Sequence, residues 1–105
     1  MKVTGWSNGG EVYGVRVPTV DRDAHFDRQW KSVTLRLGGR RVCVGITPSF
    51  WRCCTELRSK EIGEYMLANG LAPWPKGKPP IFELVPDGDR SFRLERLRRR
   101  HAEDG

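Results

Sequence analysis

The sequence predicts an α+β fold: a small, mostly antiparallel sheet of five strands with helices packed on one face. Three observations support this prediction. Several short runs alternate apolar and polar residues, as half-buried strands do. Other runs repeat apolar residues at the spacing of a helix. The chain has 105 residues, the length of one ordinary domain.

The order of these runs along the chain is strand, helix, two strands, two helices and two strands. The predicted limits are 11–17 for the first strand, 20–29 for the first helix, 33–37 and 41–46 for the next strands, 48–57 and 59–69 for the next helices, and 81–85 and 91–95 for the last strands.

Prolines, glycines and paired aromatics set the limits of the first elements. Pro18 ends the first strand because proline cannot donate to a sheet ladder. Phe26 and Trp30 stand four residues apart and therefore share one face of the predicted helix. The glycine pair at 38–39 separates two alternating runs and predicts a hairpin, which we place at the centre of the sheet. An Asn-Gly turn signal at 8–9 favours a further hairpin with the first residues of the chain.

Two consecutive short helices are predicted after this central hairpin. Thr47 is the candidate N-cap of the first helix, with Pro48 at its first position. The residues with helical spacing are Phe50, Cys53, Cys54 and Leu57. One continuous helix would place Glu61 inside this apolar stripe, so the second helix begins after Ser59. It ends before Gly70, which suits the left-handed position behind a helix.

The apolar faces of these elements predict the core. Its members are Trp30, Val33, Leu35, Leu37, Val42, Val44, Phe50, Leu57, Ile62, Met66, Phe82, Leu84, Phe92 and Leu94. The three cysteines have no metal-binding spacing, so packing is the favoured role for Cys43, Cys53 and Cys54 as reduced thiols. No metal, cofactor or catalytic residue is predicted.

Positive charge is concentrated at the C-terminal end. The net charge is +6, and residues 90–100 hold six arginines against one glutamate, so this segment alone carries +5. Residues 1–95 are predicted to form the α+β domain and residues 96–105 a basic, frayed tail. The arginines suited to phosphate contacts are Arg90, Arg93, Arg96, Arg98, Arg99 and Arg100. A plain, solvated end is an equally good interpretation of this segment.

A proline-rich segment adds an aromatic candidate. Residues 71–80 hold four prolines and are predicted to be extended. Trp74 lies between two of them and is followed by Lys76 and Lys78, so it could stack on a base beside two cations. A core contact is the favoured alternative for Trp74.

The leading hypothesis is a small, cytoplasmic, non-enzymatic module that binds nucleic acid or another polyanion through its arginine-rich segment. One alternative is a protein-interaction domain or a homodimer joined by sheet edges. A thiol enzyme ranks third: Cys53 and Cys54 fall in the first turns of a predicted helix, where a thiol pKa is lowered. His25 is the candidate base. No run is apolar and long enough to cross a membrane.

The order of strand, short helix and strand hairpin over residues 12–46 resembles that of small swapped-hairpin or pseudobarrel DNA-binding domains. The turn that such domains place before the hairpin, Gly-Asp, is absent, and Gly38-Gly39 stands within the hairpin instead. The resemblance concerns element order and transfers no residue role.

Overall fold

The computed structural model describes residues 1–97. It contains seven strands, β1 (Lys2–Ser7), β2 (Tyr13–Arg16), β3 (Ser32–Leu37), β4 (Arg40–Gly45), β5 (Glu56–Arg58), β6 (Ile81–Gly88) and β7 (Ser91–Arg96), and three helices, α1 (Thr19–His25), α2 (Pro48–Arg52) and α3 (Lys60–Ala68). The predicted tail from residue 98 onward lies outside the described residues. Arg96, which the sequence assigns to that tail, is the last residue of β7.

The seven strands form one mixed sheet in the order β4-β3-β7-β6-β1-β2-β5. Neighbours pair antiparallel except β3 and β7, which run parallel. The two outer strands, β4 and β5, approach each other, so the sheet curls nearly into a barrel. The prediction of five mostly antiparallel strands with helices on one face is therefore wrong. The helices instead contribute side chains to a core that the curled sheet encloses.

Two strands were missing from the prediction. β1 pairs with β2, with Thr4 opposite Arg16 at one end and Ser7 opposite Tyr13 at the other. This is the hairpin that the Asn-Gly turn signal favoured, although β1 was not counted among the five predicted strands. β5 occupies residues assigned to a helix, because Leu57 pairs with Val15 and enters the core from the sheet. The helical spacing of Leu57 relative to Phe50, Cys53 and Cys54 was thus coincidental.

The first two helices are shorter than predicted. α1 ends at His25, and Phe26 takes an extended conformation behind it. There Phe26 is buried and stacks on Phe92, with ring centroids 4.8 Å apart. Thr19 is the first helical residue, and the N-cap position is held by Pro18. α2 stops at Arg52, so only five residues of the predicted longer helix are helical.

Elements with a strong local signal form as predicted. Gly38 has φ +66° in the β3–β4 turn, a left-handed conformation that glycine adopts without strain. Ser59 caps α3, its hydroxyl accepting a hydrogen bond from the Ile62 amide at 3.0 Å. Gly70 follows α3 with φ +69°, and Leu71 is buried behind it.

The predicted core residues are all buried except Trp30, which is half-buried against the core. The prediction missed several members, namely Val3 of β1, Val15 of β2, and Val17, Phe26, Leu71 and Ala72 outside the strands and helices. Within residues 1–97, no helix is long and apolar enough to span a membrane.

Candidate functional site

An aromatic and basic depression lies at the end of the sheet where the β1–β2 hairpin meets the proline-rich segment. We define the aromatic surface as Trp6, Tyr13, Arg16, Trp74 and Lys76, which line this depression together with glycines and prolines of the two loops. Its volume is about 540 Å³. Among the described residues that line it, two are cationic and none is acidic.

Trp74 is held in place because the proline-rich loop approaches the backbone of β1 closely at Gly5. A Cβ atom on Gly5 would lie 2.8 Å from Cγ of Pro80 and 3.3 Å from Cη2 of Trp74. Because glycine lacks that atom, the proline-rich loop presses directly on β1. The Gly5 amide donates to the Pro80 carbonyl at 2.8 Å, and the Trp74 ring meets Tyr13 edge-on, with centroids 5.7 Å apart. Trp74 is therefore half-buried on the core and still lines the depression.

The Trp6 ring is in contact with the cationic side chain of Arg58, which lies two strands away. Its register partner on β2 is Gly14, whose own partner on β5 is Arg58. Gly14 has no side chain between them, and the Arg58 guanidinium lies 5.3 Å from the centre of the Trp6 ring. This geometry is a cation–π contact, in which a charge meets the negative face of an indole.

Lysines and one paired arginine supply the charge of the aromatic surface. Lys76 and Lys78 are both exposed and make no ion pair among residues 1–97. Arg16 is exposed as well, and its Nε lies 3.1 Å from the Glu56 carboxylate. The free positive potential of this surface therefore comes chiefly from the lysines.

The structure separates the C-terminal arginines that the sequence grouped. Arg96 ends β7 opposite Phe82, and the following Leu97 donates to Ile81 at 3.0 Å, directly after the loop that holds Trp74. Arg90 lies at the other end of β7, where its carbonyl accepts from Thr34 at 2.8 Å. Arg93 forms an ion pair with Glu95. The predicted contacts Arg98, Arg99 and Arg100 lie outside the described residues.

A separate network fixes the turn before β7. The Asp87 carboxylate accepts hydrogen bonds from the Ser91 hydroxyl at 2.8 Å and from the Arg36 guanidinium at 3.1 Å. The Ser91 hydrogen bond is the main cause that lowers the pKa of Asp87, and Arg36 lowers it further. Asp87 is thus kept ionised and ties β6 to β3.

The sequence predicted that the two adjacent cysteines lie in the first turns of a helix, but the structure places them behind the C-terminal end of α2. Cys53 is the C-cap of α2, and Cys54 follows it. Their sulfur atoms are 3.0 Å apart, and this hydrogen bond is the first cause that raises the pKa of Cys54, followed by burial. A raised pKa keeps the thiol protonated, which is the opposite of what a nucleophile needs. Within residues 1–97, no three His, Cys, Asp or Glu side chains gather as metal ligands.

Sequence reasoning found Trp74 and Lys76 from their local pattern but missed Trp6, Tyr13 and Arg16. Their role depends on the β1–β2 hairpin, for which the Asn-Gly turn was the available signal. The fold is that of a small α+β protein with a seven-stranded mixed sheet that is nearly barrel-shaped. No protein-family model, curated protein or solved structure matches it significantly.

Proposed function

We propose that the protein is a non-enzymatic module that binds single-stranded nucleic acid at the aromatic surface, together with its C-terminal arginines. The observation that carries the proposal is the arrangement of two indoles, Trp6 and Trp74, around an acid-free depression beside two free lysines. Proteins that bind single strands combine such rings, on which bases stack, with cations that follow the phosphates.

The position of the chain end supports the same proposal. β7 delivers Arg96 to the end of the sheet that holds Trp74, and the arginines at 98–100 follow it in the sequence. A strand lying on the aromatic surface would therefore meet a high local density of positive charge. Such charge gives affinity by releasing counterions from the phosphates.

Unpaired bases fit this surface better than a duplex does. Stacking on Trp74 requires a base outside a helix, whereas duplex readers place a helix in the major groove. The consecutive helices α2 and α3 are separated by β5, and α2 has only five residues. α3 carries Glu61 and Glu64, whose charge repels phosphate.

The sheet geometry favours nucleic acid over the alternative of strand addition by a protein partner. Strand addition needs an open edge. Here the edge strands β4 and β5 approach each other, which reduces the edge that a partner could extend.

The lysine contribution is tested with Lys76→Gln/Lys78→Gln in a fluorescence anisotropy titration with a labelled 15-nucleotide poly-dT oligonucleotide. Two lost phosphate contacts lower the slope of log K against log salt by about 1.4 for a single strand. The matched control is Lys2→Gln/Lys60→Gln, which removes the same charge from exposed positions elsewhere. Equal slopes for the two double variants would contradict the proposal.

Base stacking on the Trp74 ring is tested with Trp74→Ala and Trp74→Phe. Losing a stacked base costs about 1–3 kcal/mol, or roughly 5- to 150-fold in affinity, for the alanine variant. The phenylalanine variant keeps a ring and retains most of the affinity. Circular dichroism checks that both variants fold, since Trp74 also packs on the core. If both bind like the wild type, the ring does not stack.

The arginine segment is tested by deleting residues 98–105, which leaves β7 complete. We expect folding to be retained and heparin elution to move to clearly lower salt. Elution at the same salt as the full chain would remove the C-terminal arginines from the proposal.

A further inference from the structure

A second basic cleft lies away from the aromatic surface, where the segment after α1 meets α2. Its volume is about 500 Å³. Three cations line it, Arg28, Lys31 and Arg52, together with the indoles of Trp30 and Trp51. We name it the Trp51 cleft. Its size falls in the range of pockets that hold small ligands.

The cations of the Trp51 cleft are exposed and have no carboxylate partner. None of Arg28, Lys31 and Arg52 forms an ion pair among residues 1–97, and no acidic residue of that range lines the cleft. Three like charges that converge without a counter-charge repel one another, so they are stabilised by an anion. Phosphate oxygens accept such charge-assisted hydrogen bonds well.

The position of Trp51 is fixed by contacts with the buried side chain of Arg22. Arg22 is only 9% exposed, and its Nη1 donates to the carbonyls of Phe50 and Trp51 at 3.1 and 3.3 Å. Its guanidinium carbon lies 5.2 Å from the Trp51 ring centre, and that of the exposed Arg28 lies at 4.7 Å. The ring is therefore fixed, while Arg28 is free to exchange its contact with the ring for one with a ligand.

The indole of Trp51 also has unused hydrogen-bonding capacity. Its Nε1 is buried and has no hydrogen-bond partner among the described residues. An unsatisfied buried donor is unfavourable and rare in folded proteins.

We propose that the Trp51 cleft binds a mononucleotide, a ligand that joins a planar ring to phosphate. The phosphates lie against Arg28, Lys31 and Arg52, and the base packs on the exposed part of Trp51. This site is independent of nucleic-acid binding at the aromatic surface, so either proposal can fail alone.

Calorimetric titration with ADP, inorganic pyrophosphate and adenosine tests the two halves of the ligand. We expect one ADP per chain, bound at least about tenfold more tightly than pyrophosphate or adenosine. Equal binding of pyrophosphate would mark a general anion site and overturn the proposal. So would equal binding of adenosine, or no binding up to about 1 mM ADP.

Variants locate the site. Lys31→Gln/Arg52→Gln removes two cleft cations and is expected to weaken ADP binding by about tenfold or more. Lys2→Gln/Arg41→Gln removes one lysine and one arginine from exposed strand positions and should leave the affinity unchanged. A loss of ADP binding in Lys76→Gln/Lys78→Gln but not in the cleft variant would place ADP at the aromatic surface and refute the Trp51 cleft.

Nuclear magnetic resonance locates the bound ADP in the wild-type protein, without a variant that weakens binding. The indole N–H signal of Trp51, assigned by its disappearance in Trp51→Phe, is expected to shift on addition of ADP. The corresponding Trp74 signal should stay in place. The reverse pattern would contradict the assignment of the ligand to this cleft.

Discussion

Gly14 is the position where the fold and the aromatic surface depend on the same missing atom. A Cβ atom there would overlap the Leu57 carbonyl oxygen of β5 and would lie 3.0 Å from Cγ and 3.1 Å from Cα of Arg58. Two of these three atoms belong to the backbone, so no side-chain rotation relieves the contact. Gly14→Ala must therefore push β5 away from β2.

The size of the effect follows from what β5 buries. Overpacking in a close-packed region costs about 1–3 kcal/mol. The upper part of that range applies here, because separating the strands also loosens the fully buried Leu57. A loss of about 2–3 kcal/mol lowers the Tm of a domain this size by roughly 10–20 °C. Thermal and urea unfolding followed by circular dichroism measure both quantities.

Gly45→Ala is the matched control for this measurement. Gly45 also lies in a strand, but a Cβ atom there meets nothing within 4 Å. Its stability should stay within about 0.5 kcal/mol of the wild type. If Gly14→Ala unfolds at the wild-type temperature, or if both glycine variants lose the same stability, the close approach of β2 and β5 is not as described.

Three further outcomes follow from buried and hydrogen-bonded groups. Phe50→Ala should cost about 3–5 kcal/mol in urea unfolding, because Phe50 is fully buried; a smaller loss would mean that the site collapses around the cavity. Asp87 has a lowered pKa, so it stabilises the fold above its unfolded pKa and loses this effect as pH falls through the folded value. Asp87→Asn should therefore destabilise the protein at pH 7, and this destabilisation should shrink as the pH falls below the ordinary pKa of aspartate, an effect that Ser91→Ala should share in part. Cys54, with its raised pKa, should react with iodoacetamide more slowly than free cysteine, and Cys53→Ala should speed this reaction by removing the main cause of the shift.

Local signals in the sequence predicted those parts of the fold that depend on neighbouring residues. The glycine pair at 38–39 produced the β3–β4 hairpin, and Ser59 and Gly70 bounded α3 as expected. The mixed topology of the sheet could not be predicted this way. It depends on the parallel pairing of β3 with β7, whose partners, such as Thr34 and Ser91, are far apart in the chain. No spacing rule within either strand indicates that contact.

β5 shows why a clear periodicity can mislead. Phe50 and Leu57 are both buried, as a continuous helical stripe requires, yet only the first is on a helix. Leu57 is buried because β5 pairs with β2, and a three-residue strand owes its stability to that pairing rather than to its own propensity. Burial was thus predicted correctly from an incorrect element.

The same division applies to the two surfaces. Trp74 with its lysines was visible as a local pattern, whereas the Trp6–Arg58 contact exists because β1, β2 and β5 are adjacent. The residues of the Trp51 cleft carry no sequence motif. They converge because α1 ends early and turns the chain back towards α2.

The topology also separates two of the C-terminal arginines, which lie at opposite ends of β7. β7 separates Arg90 from Arg96, and a strand of six residues spans about 17 Å. Arg90 therefore lies near the start of β3, while Arg96 lies beside the loop that holds Trp74. A mononucleotide is too short to reach across this span, whereas a single strand of several nucleotides is not. An oligonucleotide and ADP are separate probes of the aromatic surface and the Trp51 cleft, because the two sites share no lining residue, and competition between the two ligands would contradict the independence of the sites.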